Sequence, residues 1–142
     1  MTDKFSDIIS VSSILQERAL DKHRQNLATS KRLQDELTQI DTLRQAIQAD
    51  GASLGARQLS GADTLWQTWL VTKRARLLQE MAMARALEAD SLARARTAQA
   101  RYDAANALEK EEKKRIRDRR ILAQTEALED MGRLRQALSD NL

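Results

Sequence analysis

The sequence predicts an all-α protein, a long antiparallel two-helix coiled-coil hairpin with a longer second helix. Three observations predict it. The 142 residues contain no proline, where average usage gives about seven. Proline breaks helix interiors, so its absence lets a helix run far. Of the four glycines, Gly51, Gly55 and Gly61 fall in one short stretch. Ala, Leu, Arg, Gln, Glu and Lys dominate the rest, and these are the best helix formers. Aromatics are limited to Phe5, Trp66, Trp69 and Tyr102. That is too few for one thick core, so a thin seam between helices is expected.

The chain reads as one domain, 1–142. A first helix is expected over about 3–49, a loop over about 50–62, and a second helix over about 63–138, with 109–142 overhanging the first helix. In the first helix, Leu33, Ile40 and Ile47 stand seven apart, with Leu54 next in line. Leu37 and Leu43 fill the alternate seam positions. Leu20 and Leu27 form an earlier rung out of phase by one residue, which predicts a stutter in the coiled coil. Ser10, Ser12 and Ser13 are poor interior residues. Ser13-Ile-Leu-Gln16 reads as a capping box, so the first dozen residues are expected to fray or to form a separate turn.

In the loop, Gly51 is the candidate for the left-handed residue that ends the first helix. Ser60, three residues before Asp63, is the candidate N-cap of the second. The second helix opens on Leu65, Trp66, Trp69 and Leu70 and continues through Leu77, Met81, Ala84 and Leu87. The stretch from Ala82 to Ala107 is rich in alanine. Alanine there either lets two helices approach closely or simply raises helix propensity.

A fold-back centred near Ala56 places Ile47 near Leu65 and Trp66, Leu20 near Leu92, and Phe5 near Leu108. Residues beyond Glu109 then have no partner within the chain. At ~1.5 Å per residue that overhang is about 45 Å of helix. From Glu109 to Arg120, Ile116 is the only uncharged residue. Such a polar helix is held by its own charge pairs, and Glu109–Lys113 and Glu111–Arg115 have the favourable order. Leu128, Met131, Leu134, Leu138 and Leu142 then restore an apolar stripe, which calls for an external partner or self-association.

No catalytic chemistry is legible. The single histidine, His23, reads as a solvated or seam residue. There is no HExxH, no GxGxxG, no Walker-type loop and no nucleophile elbow. The loop glycines lack the Lys-Ser/Thr that a P-loop uses on phosphate. No catalytic group, cofactor, metal site or small-molecule substrate is therefore expected. With no cysteine, there is no thiol or disulfide chemistry. No apolar run approaches the ~18 residues of a membrane span, and the first residues carry no signal-peptide pattern. A cytosolic place is expected. The net charge of +3 is only mildly basic.

Trp66 and Trp69 sit three apart on one face beside the loop. One reading has them plug the hairpin tip against Leu43 and Ile47. The other makes them a recognition surface, since tryptophan is enriched at binding hot spots. The run Lys113-Lys-Arg-Ile-Arg-Asp-Arg-Arg120 admits a solvated face, an acidic protein partner, or nucleic acid or membrane. Interspersed acids and the lack of aromatics for base stacking count against nucleic acid.

The hairpin with its longer second helix, together with Phe5, Ile8 and Leu15 and the stretch Leu65-Trp-Gln-Thr-Trp-Leu70, resembles the flagellar export stalk proteins, the FliJ family, and their YscO-like relatives of injectisomes. Lys73 and Arg76, and the weight of the charged run, depart from that pattern. The resemblance implies a non-enzymatic, cytoplasmic component of a type III protein export apparatus, held at the inner membrane through its partners. It implies a stalk-like coupler between the export ATPase hexamer and the cytoplasmic domain of the membrane export gate, with export chaperones as further partners. Carried onto this sequence, Trp66 and Trp69 are the gate contact. Arg117, Arg120, Leu128, Met131, Leu134 and Leu138 are the ATPase-ring contact. Two other classes stand beside it. One is a structural coiled coil that homo-oligomerises through the C-terminal stripe. The other is a basic coiled-coil protein (a secreted effector, or a phage or nucleoid-associated protein) that binds acidic partners or nucleic acid through Lys113–Arg120.

Overall fold

A computed structural model describes residues 4–49 and 62–142. Two helices account for nearly all of them: α1, Ser6–Ala49, and α2, Ala62–Asp140. No strand occurs among the described residues. The fold is the expected all-α two-helix hairpin with the longer helix second. The proposed caps at Gly51 and Ser60, and the seam position at Leu54, lie outside the described residues.

Helix α1 does not wait for Ser13. It begins at Ser6, with Asp7 in its first turn and the Ile9 amide donating to the Phe5 carbonyl at 2.9 Å. An acidic side chain there suits the positive end of the helix dipole, and the helix runs straight through the serines. Threonines are accommodated in a similar way. The hydroxyls of Thr29, Thr38, Thr42, Thr68 and Thr72 each donate to the carbonyl four residues back, so a polar β-branched residue sits inside a helix with its hydrogen bond satisfied. Helix α2 likewise passes through Gly132 without a break.

Contacts gather into two units. One lies between Leu15 and Ala98. The other joins the start of α1, up to Ile14, with α2 from Gln99 onward. In the first, Leu33, Leu37 and Ile40 of α1 pack with Leu70, Leu77, Met81 and Ala84 of α2, and Ile47 joins them. Leu70 and Leu77 are fully buried. Complete burial of one such side chain is worth roughly 1.5–3 kcal/mol. Cross-helix pairs fix the antiparallel register. Arg74 Nε meets Asp41 Oδ1 at 2.9 Å, Asn26 Nδ2 donates to the Leu87 carbonyl at 3.2 Å, and His23 Nδ1 lies 2.8 Å from Ser91 Oγ. These partners lie one to three residues beyond those the expected fold-back gives.

The expected stutter is absent. From Gln16 to Ile47 the seam of α1 keeps an unbroken alternation of three and four, through Ala19, His23, Asn26, Ser30, Leu33, Leu37, Ile40 and Arg44. Leu27 is exposed and Leu20 is only half-buried. The leucines drift out of phase because polar residues occupy the seam at 23, 26 and 30. The buried Ser91 hydroxyl donates to the Glu88 carbonyl at 2.9 Å, which leaves its oxygen to accept from His23. Such polar pairs inside a seam specify register at some expense of stability. Ser30 Oγ is buried there without a hydrogen-bond partner.

In the second unit the same alternation half-buries Phe5, just before α1, and Ile9 and Ser12 of α1. In α2 it runs through Tyr102, the buried Ala105, Glu109 and Glu112. Every residue from Lys113 to Leu142 is exposed.

Candidate functional site

Two surfaces on α2 carry the residues singled out from the sequence, one in each unit. The first is the tryptophan pair. Trp66 and Trp69 stack on each other, with ring centroids 5.2 Å apart and planes 14° from parallel. Both rings are half-buried. Trp66 is 41% exposed and Trp69 49%, Leu43 is itself exposed, and the buried cluster on this stretch of α2 begins at Leu70. Three-residue spacing puts the two rings on one side of the helix. Each indole satisfies part of its apolar surface on the other. Leu65 and Val71 beside them are also exposed. The result is an aromatic patch on the first turns of α2.

The second surface is the uncovered end of α2. Lys110, Lys113, Lys114, Arg117 and Arg120 line one shallow depression together with Ile116. Read along the chain, the run from Glu109 alternates in sign. Wrapped on a helix, it does not. Residues 110, 113, 114, 117, 120 and 121 share one face, and 128, 131, 135, 138 and 142 extend it. That face carries basic and apolar side chains and no acid from Lys110 onward. Glu111, Asp118, Glu126, Glu129, Asp130 and Asp140 fall on the opposite side. Of the residues predicted for this end, Arg117, Arg120, Leu128, Met131 and Leu138 are thus brought together. Leu134 stands at the edge of the face. Lys114, from the basic run, joins them, as do Lys110 and Ile121, which helical wrapping of the charged run adds to the face.

Local charge pairs hold the start of this segment. Lys113 Nζ lies 2.7 Å from Glu109 Oε1, as expected. Arg115 pairs with Glu112 at 2.6 Å and not with Glu111. The hydrogen bond from Arg115 holds the Glu112 carboxyl below its ordinary value of 4.5, helped by the charges of Arg115, Lys4 and Arg119 and opposed by partial burial. Exposed pairs of this kind contribute little stability, since water and salt screen them.

Among the described residues, no group of three or more His, Cys, Asp or Glu side chains is placed to hold a metal ion. No helix among them is long and apolar enough to cross a membrane. Set against family models, curated proteins and solved structures, the chain matches none.

Proposed function

We propose that this chain is a non-enzymatic docking protein that works as a stalk-like coupler in a type III protein export apparatus. The uncovered end of α2 engages the export ATPase ring, and the aromatic patch engages the cytoplasmic domain of the export gate. One observation carries the docking reading. Leu128, Met131, Leu134 and Leu138 are between 61% and 68% exposed and recur at helical spacing, on a helix whose earlier stripe of Leu70, Leu77 and Met81 is buried with residues of α1. Surface leucines scattered singly need no explanation, but a repeated apolar stripe marks an interaction site. The export assignment rests on the resemblance of the hairpin and of Leu65-Trp-Gln-Thr-Trp-Leu70. The stacked, half-exposed tryptophans support a contact at that patch.

The reading is tested on the full chain with a purified export ATPase and the cytoplasmic gate domain of the same cell. Leu128→Asp with Met131→Asp should abolish ATPase binding and stimulation and leave gate binding intact. Trp69→Ala should do the reverse, with helix melting nearly unchanged because the ring is half in water. An ATPase that neither binds the wild-type chain nor responds to it would remove the export assignment. Gate binding that falls only in step with melting temperature would make the tryptophans structural.

A further inference from the structure

The acid-free face of α2 carries a second heptad pattern, distinct from the seam that closes the hairpin. From Ile121 the positions Gln124, Leu128, Met131, Arg135 and Leu138 follow each other at alternating spacings of four and three. That is the heptad pattern that calls for a partner helix. The hairpin seam does not continue into it. Prolonged past Glu112 at the same spacing, it would run through Ile116, Arg119, Ala123, Glu126, Asp130 and Arg133, most of them charged. The new set of positions lies about a third of a turn away around the helix. One edge is lined by Thr125, Gly132 and Ser139. A side chain at Gly132 would meet nothing within 4 Å. The hydroxyls of Thr125 and Ser139 are satisfied on the Ile121 and Gln136 carbonyls. This edge therefore presents no bulky group and no unsatisfied hydroxyl to an approaching helix.

We propose that this seam is occupied by an acidic amphipathic helix of another protein. Its apolar stripe covers Ile121, Leu128, Met131 and Leu138, and its carboxylates face Lys110, Lys114, Arg117 and Arg120. Charge decides the occupant. A second copy of this chain would bring the same cations to the contact, and in neither orientation does the face hold an acid to offset them. An anionic membrane surface fits less well, because interfacial helices use a broad apolar face with aromatic anchors. Residues 113–142 contain no Phe, Tyr or Trp. An acidic helix meets both halves of the face at once, with its charges steering the approach and its apolar residues supplying the buried contact. This inference rests on the end of α2 being a docking surface, and not on the partner being an ATPase.

The test uses the full chain and two synthetic three-heptad peptides, with Leu at the inner positions and either Glu or Lys flanking them. The Glu peptide should bind at least tenfold more tightly than the Lys peptide, and more weakly as salt rises. Met131→Asp should weaken it at least tenfold. Glu126→Lys, on the opposite face, should leave it unchanged. The combined reversal Lys110→Glu, Lys114→Glu and Arg117→Glu touches no hairpin seam position and should invert the preference between peptides. Equal binding of both peptides, or binding of neither, overturns the proposal. So does concentration-dependent dimerisation that Met131→Asp abolishes, which would assign the seam to a second copy. Pelleting with phosphatidylserine vesicles in preference to the Glu peptide would assign it to a membrane and overturn it as well. Loss of peptide binding with ATPase binding intact sinks this inference alone, and the opposite result sinks only the export reading.

Discussion

Leu77 and Leu128 lie on the same helix, each in a heptad seam, yet Leu77 is 1% exposed and Leu128 68%. Helical periodicity alone does not bury a residue. In the unit between Leu15 and Ala98, α1 supplies Leu33, Leu37 and Ile40 to cover the stripe. Beyond Glu112, α2 keeps an apolar stripe and has no covering helix among the described residues. Among the described residues, α1 covers the first stripe and nothing covers the second. The comparison teaches where stability sits and where binding capacity sits.

The sharpest way to break this comparison is to truncate one leucine from each seam. Leu77→Ala should lower unfolding free energy by about 2–5 kcal/mol, the usual loss for a fully buried leucine with its cavity. Leu128→Ala should change it by less than about 0.5 kcal/mol. Urea melts followed by circular dichroism measure both. Equal losses would mean that Leu128 is covered.

A smaller effect, of opposite sign, is expected at Ser30. Its buried hydroxyl has no partner, and an unsatisfied buried polar group destabilises by roughly 1–3 kcal/mol. Ser30→Ala removes it and adds helix propensity. The same melts should show a gain of about 1 kcal/mol. A loss would mean that the hydroxyl is satisfied in solution.

The smallest effect concerns Glu112, where the covered part of α2 gives way to the open part. Its carboxyl is held below 4.5 in the folded chain. A depressed carboxylate stabilises the fold above its unfolded pKa, and that contribution is lost as pH falls through the folded value. The window therefore lies in acid, at and below the ordinary carboxylate range. A carboxyl NMR titration should place Glu112 below 4.5, and Arg115→Ala should move it back up. An unchanged titration in that variant would show that the Arg115 hydrogen bond is not the cause.

The hairpin itself was readable because its determinants are local. The absence of proline and the clustered glycines leave one place to fold back, and the register follows by counting. The seam between Gln16 and Ser30 was not readable by tracing leucines. There His23, Asn26 and Ser30 hold positions that hydrophobicity does not mark, and their pairing with Ser91 and the Leu87 carbonyl exists only once two helices meet. The exposure of Trp66 and Trp69 was open for a similar reason. Spacing puts both rings on one face and does not say whether they bury against α1 or against each other. The basic face was legible but obscured, since a run that mixes Glu and Lys in sequence separates them in space once it is helical.

Cysteine accessibility tests the open seam most directly, and the absence of native cysteine makes the background clean. Single variants Leu77→Cys, Leu128→Cys and Met131→Cys are labelled with a maleimide under native conditions, with and without the acidic heptad peptide. Position 77 should be protected throughout. Positions 128 and 131 should label at nearly the rate of an unfolded peptide in the free chain and slow at least tenfold with the peptide bound. Slow labelling of 128 and 131 in the free chain, or labelling that the peptide leaves unchanged, would contradict the account.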